Sequence, residues 1–173
     1  MNSALLDFKC DKNKDIENFL HNKAISYQKQ SRCSVYLLCD EKAFFENIIS
    51  IQAYFTLSHK SIVIPAADET VSKSQRDAIM KNRNAESLEF VLIGQLGKRI
   101  ENVGNDDFIY SEISGEEILK SAKEVINAAN ELIACRAVLV ECEDEEKINK
   151  FYKTNGFKFL QKDRYNQYYY ILK

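Results

Sequence analysis

Apolar and polar positions alternate along this chain with two different periods, and each change of period marks a new element. Ala137, Val138, Leu139 and Val140 form an unbroken apolar run, which predicts a strand covered on both faces. Helical spacing follows at once. Ile148, Phe151 and Tyr152 lie three and four positions apart and share one face. Asp144 is placed to cap this helix, Glu145 and Glu146 fall in its first turn, and Asn155 with Gly156 ends it. The stretch 135–157 thus reads as strand, short helix and turn, and the rest of the chain is arranged around it.

Upstream, Ile16, Phe19, Leu20, Ala24 and Tyr27 predict one core-facing helix over 13–30. Residues 34–40 and 48–57 read as strands, and the polar turn between them is too short for a parallel crossover, so they pair antiparallel. Extended chain over 61–64 runs into Pro65, and residues 66–86 are polar. A helix over 72–83 turns Ala78, Ile79 and Met80 inward. Its Lys73, Arg76, Lys81 and Arg83 read as a solvated face before they read as a basic patch. The strand over 88–98 carries Gly94 and Gly97 near its end, which marks either the close approach of a ligand or backbone, or a bend of the sheet. Residues 99–113 predict a mobile surface loop.

The strongest helical pattern covers 115–133, where Ile118, Leu119, Ala122, Val125, Ile126, Ala129 and Leu132 make one face. Ser114 and Glu117 have capping-box spacing. Strand, loop, helix and strand over 88–141 make a βαβ unit, whose crevice at the carboxyl ends of its strands lies beside a helix N-terminus suited to phosphate. Residues 157–160 and 168–172 close the chain as a hairpin. Its tyrosines, Tyr165, Tyr168, Tyr169 and Tyr170, read as packing rather than as a stacking surface.

Composition narrows the function classes. At 173 residues with 45% hydrophobic and 29% charged content, one domain over 1–173 is expected. A net charge of −2 and a pI near 5.8 supply no overall attraction to nucleic acid, so a nucleic-acid substrate needs a local basic patch. Five cysteines without a C-x-x-C pair suit reduced thiols in a cytoplasm. His21 and His59 belong to no metal-ligand spacing, so no metal is expected. No apolar stretch reaches membrane-spanning length, and no signal peptide is visible.

The order of elements and the words K-I-N-K-F-Y-K-T-N-G-F together resemble the GNAT family of acyl-CoA-dependent N-acetyltransferases. Phe151, Tyr152, Gly156 and Phe157 are similar to that family's F-Y-x-x-x-G-F signature. D-F-K-C near Asp7, F-L at Phe19 and Leu20, and A-Y-F-T-L-S at positions 53–58 resemble the branch that includes toxins of toxin–antitoxin pairs. The resemblance covers nearly the whole chain. It implies an α/β fold with a central mixed β-sheet flanked by helices, and acetyl-CoA as cosubstrate. It places the pantetheine arm against Leu96, Gly97 and Lys98 through backbone groups, and the phosphates against Ser111, Ile113, Ser114 and Gly115. Tyr152 becomes the proton donor to the departing thiolate. For the base that deprotonates the attacking amine, the residue at the end of the buried strand, Glu141, is the first choice, and water the alternative.

The family's pyrophosphate loop, Q/R-x-x-G-x-G/A, falls on Tyr110 and the five residues after it, of which only Gly115 fits. Tyr110 stands for the Gln or Arg, Ile113 for a glycine, and Glu116 and Glu117 bring negative charge to the helix end. The expected function is acetyl transfer to a primary amine, small or macromolecular, by direct attack. The alternatives are a GNAT-fold binding or regulatory protein that no longer catalyses, and a toxin-type enzyme acting on aminoacyl-tRNA. A homodimer and a tRNA acceptor are the partners this leaves open; a membrane is not among them.

Overall fold

The computed structural model describes residues 2–65 and 69–172. Its helices are α1 (Asn2–Asp7), α2 (Lys14–Asn22), α3 (Ala24–Lys29), α4 (Glu41–Phe45), α5 (Lys73–Met80), α6 (Gly115–Asn130) and α7 (Glu146–Thr154). Its strands are β1 (Ser34–Cys39), β2 (Ile51–Val63), β3 (Ser87–Lys98), β4 (Ile100–Gly104), β5 (Asp107–Tyr110), β6 (Ala137–Cys142), β7 (Lys158–Lys162) and β8 (Asn166–Ile171). Six strands make one mixed sheet in the order β1-β2-β3-β6-β8-β7, and β4 with β5 makes a separate hairpin. The expected parallel pair is β3 with β6, in register from Val91–Val138 to Ile93–Val140. By contact clustering the chain divides into two compact units, Met1–Leu57 with Gln95–Lys123, and Ser58–Gly94 with Glu124–Lys173. β2, β3 and α6 run through both. Among the described residues, no helix is long and apolar enough to cross a membrane.

In the first unit, α1, α2 and α3 pack on Ile51 and Tyr54 of β2 through Leu5, Phe8, Leu20 and Ala24. Phe8 meets the Tyr54 ring edge-on at 5.6 Å, and Phe19 stacks on it at 6.2 Å. The helix expected over 13–30 is two helices, with Lys23, at φ −119° and ψ −32°, as the junction between α2 and α3. α1 has no counterpart in the periodicity, being too short to show one. The polar turn after β1 is the helix α4, capped by Asp40, whose carboxylate accepts from Ala43 N at 2.8 Å. The loop expected over 99–113 is for the most part the β4–β5 hairpin. Gly104, Asn105 and Asp106 turn it with positive φ, a conformation glycine takes freely and Asn and Asp tolerate.

In the second unit, Ala137, Val138, Leu139 and Val140 are each 0% exposed, as the unbroken apolar run requires. Leu139 and Ala137 join Ile62, Leu88, Phe90, Ile79 and Tyr169 in one core. Tyr169 is buried by this packing, and Tyr168, on the other face of β8, is buried against Tyr152 and Phe159. Ala66, Ala67 and Asp68 of the polar stretch lie outside the described residues, while α5 forms with Ser72 and Gln75 as a complete capping box. One expectation for α5 is overturned. Arg76 does not belong to a solvated face: it is 3% exposed, and its guanidinium donates to the carbonyls of Ile64, Ala85, Pro65 and Val71 at 2.5–3.2 Å. The chain folds back around this cation because four carbonyls with no strand partner need donors.

Candidate active site

The helix α7 carries the tyrosine that the sequence singles out. Its first described turn differs from the expectation, since Glu145 is the capping position and makes no side-chain cap. Asp144 instead accepts from Asn149, Asn166 and Lys162 at 2.7–2.9 Å. These donors, the Lys162 ammonium first, hold its carboxyl down to about 2. Asp144 therefore ties α7 to the β7–β8 hairpin rather than to its own backbone. At the other end Gly156 stops the helix at φ 85°, where a side chain would be strained.

Between these two ends Tyr152 is 9% exposed. Its ring stacks on Tyr168 at 6.2 Å and meets Phe157 and Phe151 edge-on at 5.6 and 5.2 Å. Among the described residues its hydroxyl makes no hydrogen bond, yet no buried side-chain oxygen is left without a partner. The hydroxyl is consequently open at the surface of a ring that is otherwise enclosed. Burial, and behind it the Cys142 sulfur, push its pKa up. Tyr152 is thus a neutral phenol that can donate a proton and, among the described residues, has no acceptor bonded to it.

Cys142 and Glu141 end β6 side by side and so point to opposite faces of the sheet. Cys142 shares the face of Val140, whose partner in β8 is Tyr168, and hence the face of α7. Burial and the nearby Asp144 and Glu143 carboxylates push the Cys142 thiol up to about 11, so it is not a thiolate nucleophile. Glu141 accepts from Gln167 Nε2 at 2.7 Å and faces Lys60 Nζ at 3.5 Å. Tyr152 and Glu141 therefore reach the same end of β6 from opposite faces.

The remaining candidates lie at the end of β3 and the start of α6. Gly97 is required by packing: a Cβ there would stand 2.3 Å from Ile16 Cγ2 and 3.4 Å from the Tyr54 ring. Tyr54 Oη also donates to the Ile16 carbonyl at 2.7 Å, so α2 is docked on β2 and β3 at this point. Gly97→Ala is expected to destabilise the protein by about 1–3 kcal/mol in denaturant titration, through overpacking against Ile16. A loss below the error of that titration would show that Ile16 moves aside freely. Leu96 is half-buried, and Lys98 extends its ammonium to the carbonyls of Ser111 and Ile113 at 3.5 and 3.4 Å. The structure thus brings β3 onto the loop that holds Ser111, Ile113, Ser114 and Gly115.

Part of that loop is bonded to itself. Ile113 N donates to Ser111 Oγ at 3.2 Å, Ser114 N to Glu117 Oε2 at 2.7 Å, and Glu117 N to Ser114 Oγ at 3.1 Å. Both halves of the capping box are present, and the Glu117 carboxyl is held below its ordinary range by these bonds. The N–H groups that would meet a phosphate at this helix end are partly taken by the protein's own carboxylate. Glu116 is exposed. Sequence reasoning missed Lys12 and Phe108, which gather around Tyr110; the turn G-N-D within an alternating V-x-x-x-x-F-I-Y run is the signal that a hairpin presents them.

Comparison with known proteins fixes the class of fold. No family model matches the chain, and no curated protein matches it in sequence. Solved structures do match it, and their fold is that of the GNAT acyltransferases. AtaT complexed with acetyl-methionyl-tRNAfMet matches with a TM-score of 0.70 at 21% identity, over 96% of this chain and 86% of that one. A Tyr-to-Phe mutant of KacT matches with a TM-score of 0.70 at 19% identity, over 96% and 86%. An AtaT toxin mutant bound to the C-terminus of the antitoxin AtaR and acetyl-CoA matches with a TM-score of 0.67 at 18% identity, over 99% and 89%.

Proposed function

We propose that this protein is an acetyl-CoA-dependent N-acetyltransferase that passes the acetyl group directly to a primary amine. The observation that carries this reading is Tyr152, a buried neutral phenol whose hydroxyl makes no hydrogen bond among the described residues. In direct transfer the amine nitrogen attacks the thioester carbonyl carbon, the C–S bond breaks, and the sulfur leaves with the electron pair. Tyr152 supplies that sulfur with a proton. The phenolate left behind is disfavoured by the same burial, so it is promptly reprotonated from the ammonium side of the reaction or from water. No acyl-enzyme is needed, in keeping with a Cys142 thiol that stays protonated. The amine's proton passes to water or to Glu141, whose engagement with Gln167 and Lys60 leaves water as the readier acceptor.

Leu96, Gly97 and Lys98 would hold the pantetheine arm by backbone groups, and Ser111, Ile113, Ser114 and Gly115 would border the phosphates. AtaT has been captured with acetyl-methionyl-tRNAfMet and, with AtaR, bound to DNA, which makes the α-amino group of an aminoacyl-tRNA the first acceptor to try and an antitoxin the first protein partner. The occupied capping box favours a second reading, a GNAT-fold binding protein that has lost transfer. Incubation with radiolabelled acetyl-CoA and a pool of aminoacyl-tRNAs and small amines separates the two. Label in an acceptor supports the enzyme; saturable cofactor binding without any transfer supports the binding protein, and no binding at millimolar acetyl-CoA sinks the first reading.

A further inference from the structure

The helix end that the sequence offers to phosphate is capped by Glu117, so an anion here needs other donors. Two stand beside it. Lys98 Nζ lies between the Ser111 and Ile113 carbonyls and 5.3 Å from the centre of the Tyr110 ring. Lys12 Nζ lies 4.9 Å from the same ring, hydrogen-bonds its hydroxyl, and sits 4.2 Å from the centre of Phe108. Among the described residues neither ammonium has a carboxylate partner. Carbonyl dipoles and ring faces hold these cations in place without neutralising them. The contrast with their neighbours is informative: Lys14 is bound to Asp11 and Glu17, and Arg99 to Asp7 and Glu101. The exposed carboxylates on the loop and the start of α6, Glu112 and Glu116, bond neither lysine.

We infer that Lys98 and Lys12, arrayed on the aromatic β4–β5 hairpin, form a diphosphate-binding site that takes over from the glycine-rich loop this chain lacks. The site rests on the acetyl-CoA reading for its physiological ligand, whose diphosphate can pair with two ammoniums that share one ring and have no carboxylate partner among the described residues. Phe108 and Tyr110 fix the lysines in place. Binding through side-chain charge rather than backbone amides makes the affinity fall with added salt.

The test is isothermal titration of the full chain and of Lys98→Gln and Lys12→Gln with three probes: inorganic pyrophosphate, acetyl-CoA and S-acetyl-pantetheine, which lacks the diphosphate. Each substitution is expected to weaken pyrophosphate and acetyl-CoA about tenfold, the loss of one charge-assisted contact, and Lys12→Gln, which lies outside the pantetheine-holding residues, to leave S-acetyl-pantetheine unchanged. Thermal unfolding of both variants checks that they fold. Equal pyrophosphate binding in wild type and variants, or no pyrophosphate binding by the wild type, overturns the site. Pyrophosphate binding that depends on both lysines, in a protein that ignores acetyl-CoA, upholds the site and overturns the acetyltransferase reading alone.

Discussion

Tyr152→Phe is expected to lower kcat for acetyl transfer by about 100- to 1,000-fold, within the usual range for removing a positioned acid, while leaving the affinity for acetyl-CoA within a factor of two or so. The substitution deletes one oxygen from a ring held by Tyr168, Phe157 and Phe151. That oxygen makes no hydrogen bond among the described residues, so the fold loses nothing by its removal. Thermal unfolding should be unchanged, which distinguishes a chemical role from a packing role. Single-turnover kinetics with saturating acetyl-CoA is the measurement. A variant that transfers acetyl at the wild-type rate would show that the thiolate leaves without help from this phenol.

Arg76→Ala should be the most damaging substitution for stability. It removes the donor to four carbonyls from a site 3% exposed. A buried carbonyl left without a partner costs about 1–3 kcal/mol, and relaxation recovers part of it, so a loss of about 3–5 kcal/mol is expected in chemical denaturation. Arg76→Lys should fall between, since one ammonium cannot span carbonyls that the planar guanidinium reaches together. A loss under 1 kcal/mol for Arg76→Ala would mean that water enters and satisfies the carbonyls.

These two residues show how unevenly the molecule can be read from its sequence. Tyr152 was legible because its helix is short, amphipathic and closed by Gly156, and because the surrounding words resemble a known signature. Arg76 was not. On a helix wheel it is one basic residue among Lys73, Lys81 and Arg83, and only the return of the chain through Ile64, Pro65 and Ala85 makes it a core residue. Asp144 was misread in a related way. A carboxylate before a helix is the local expectation for a cap, but Lys162 and Asn166 from the closing hairpin compete for it and win. Gly97 was marked for the close approach of a ligand or backbone, or for a bend, whereas the neighbour the structure supplies is a side chain, Ile16, from a helix 81 positions earlier.

The sequence by itself determined the strands of the parallel βαβ unit and the helix between them, the buried strand β6, the capping box of Ser114, and the helix that bears Tyr152. All of these are set by side-chain periods and by hydrogen bonds that close within four residues. Only the tertiary structure decided where charge resides: Arg76 inside a ring of carbonyls, Asp144 on the hairpin, Lys12 on a tyrosine 98 positions away, and Lys98 on the loop before α6. A charged side chain takes its role from whichever donors, acceptors and rings surround it in space, and those come from segments whose meeting no local pattern records.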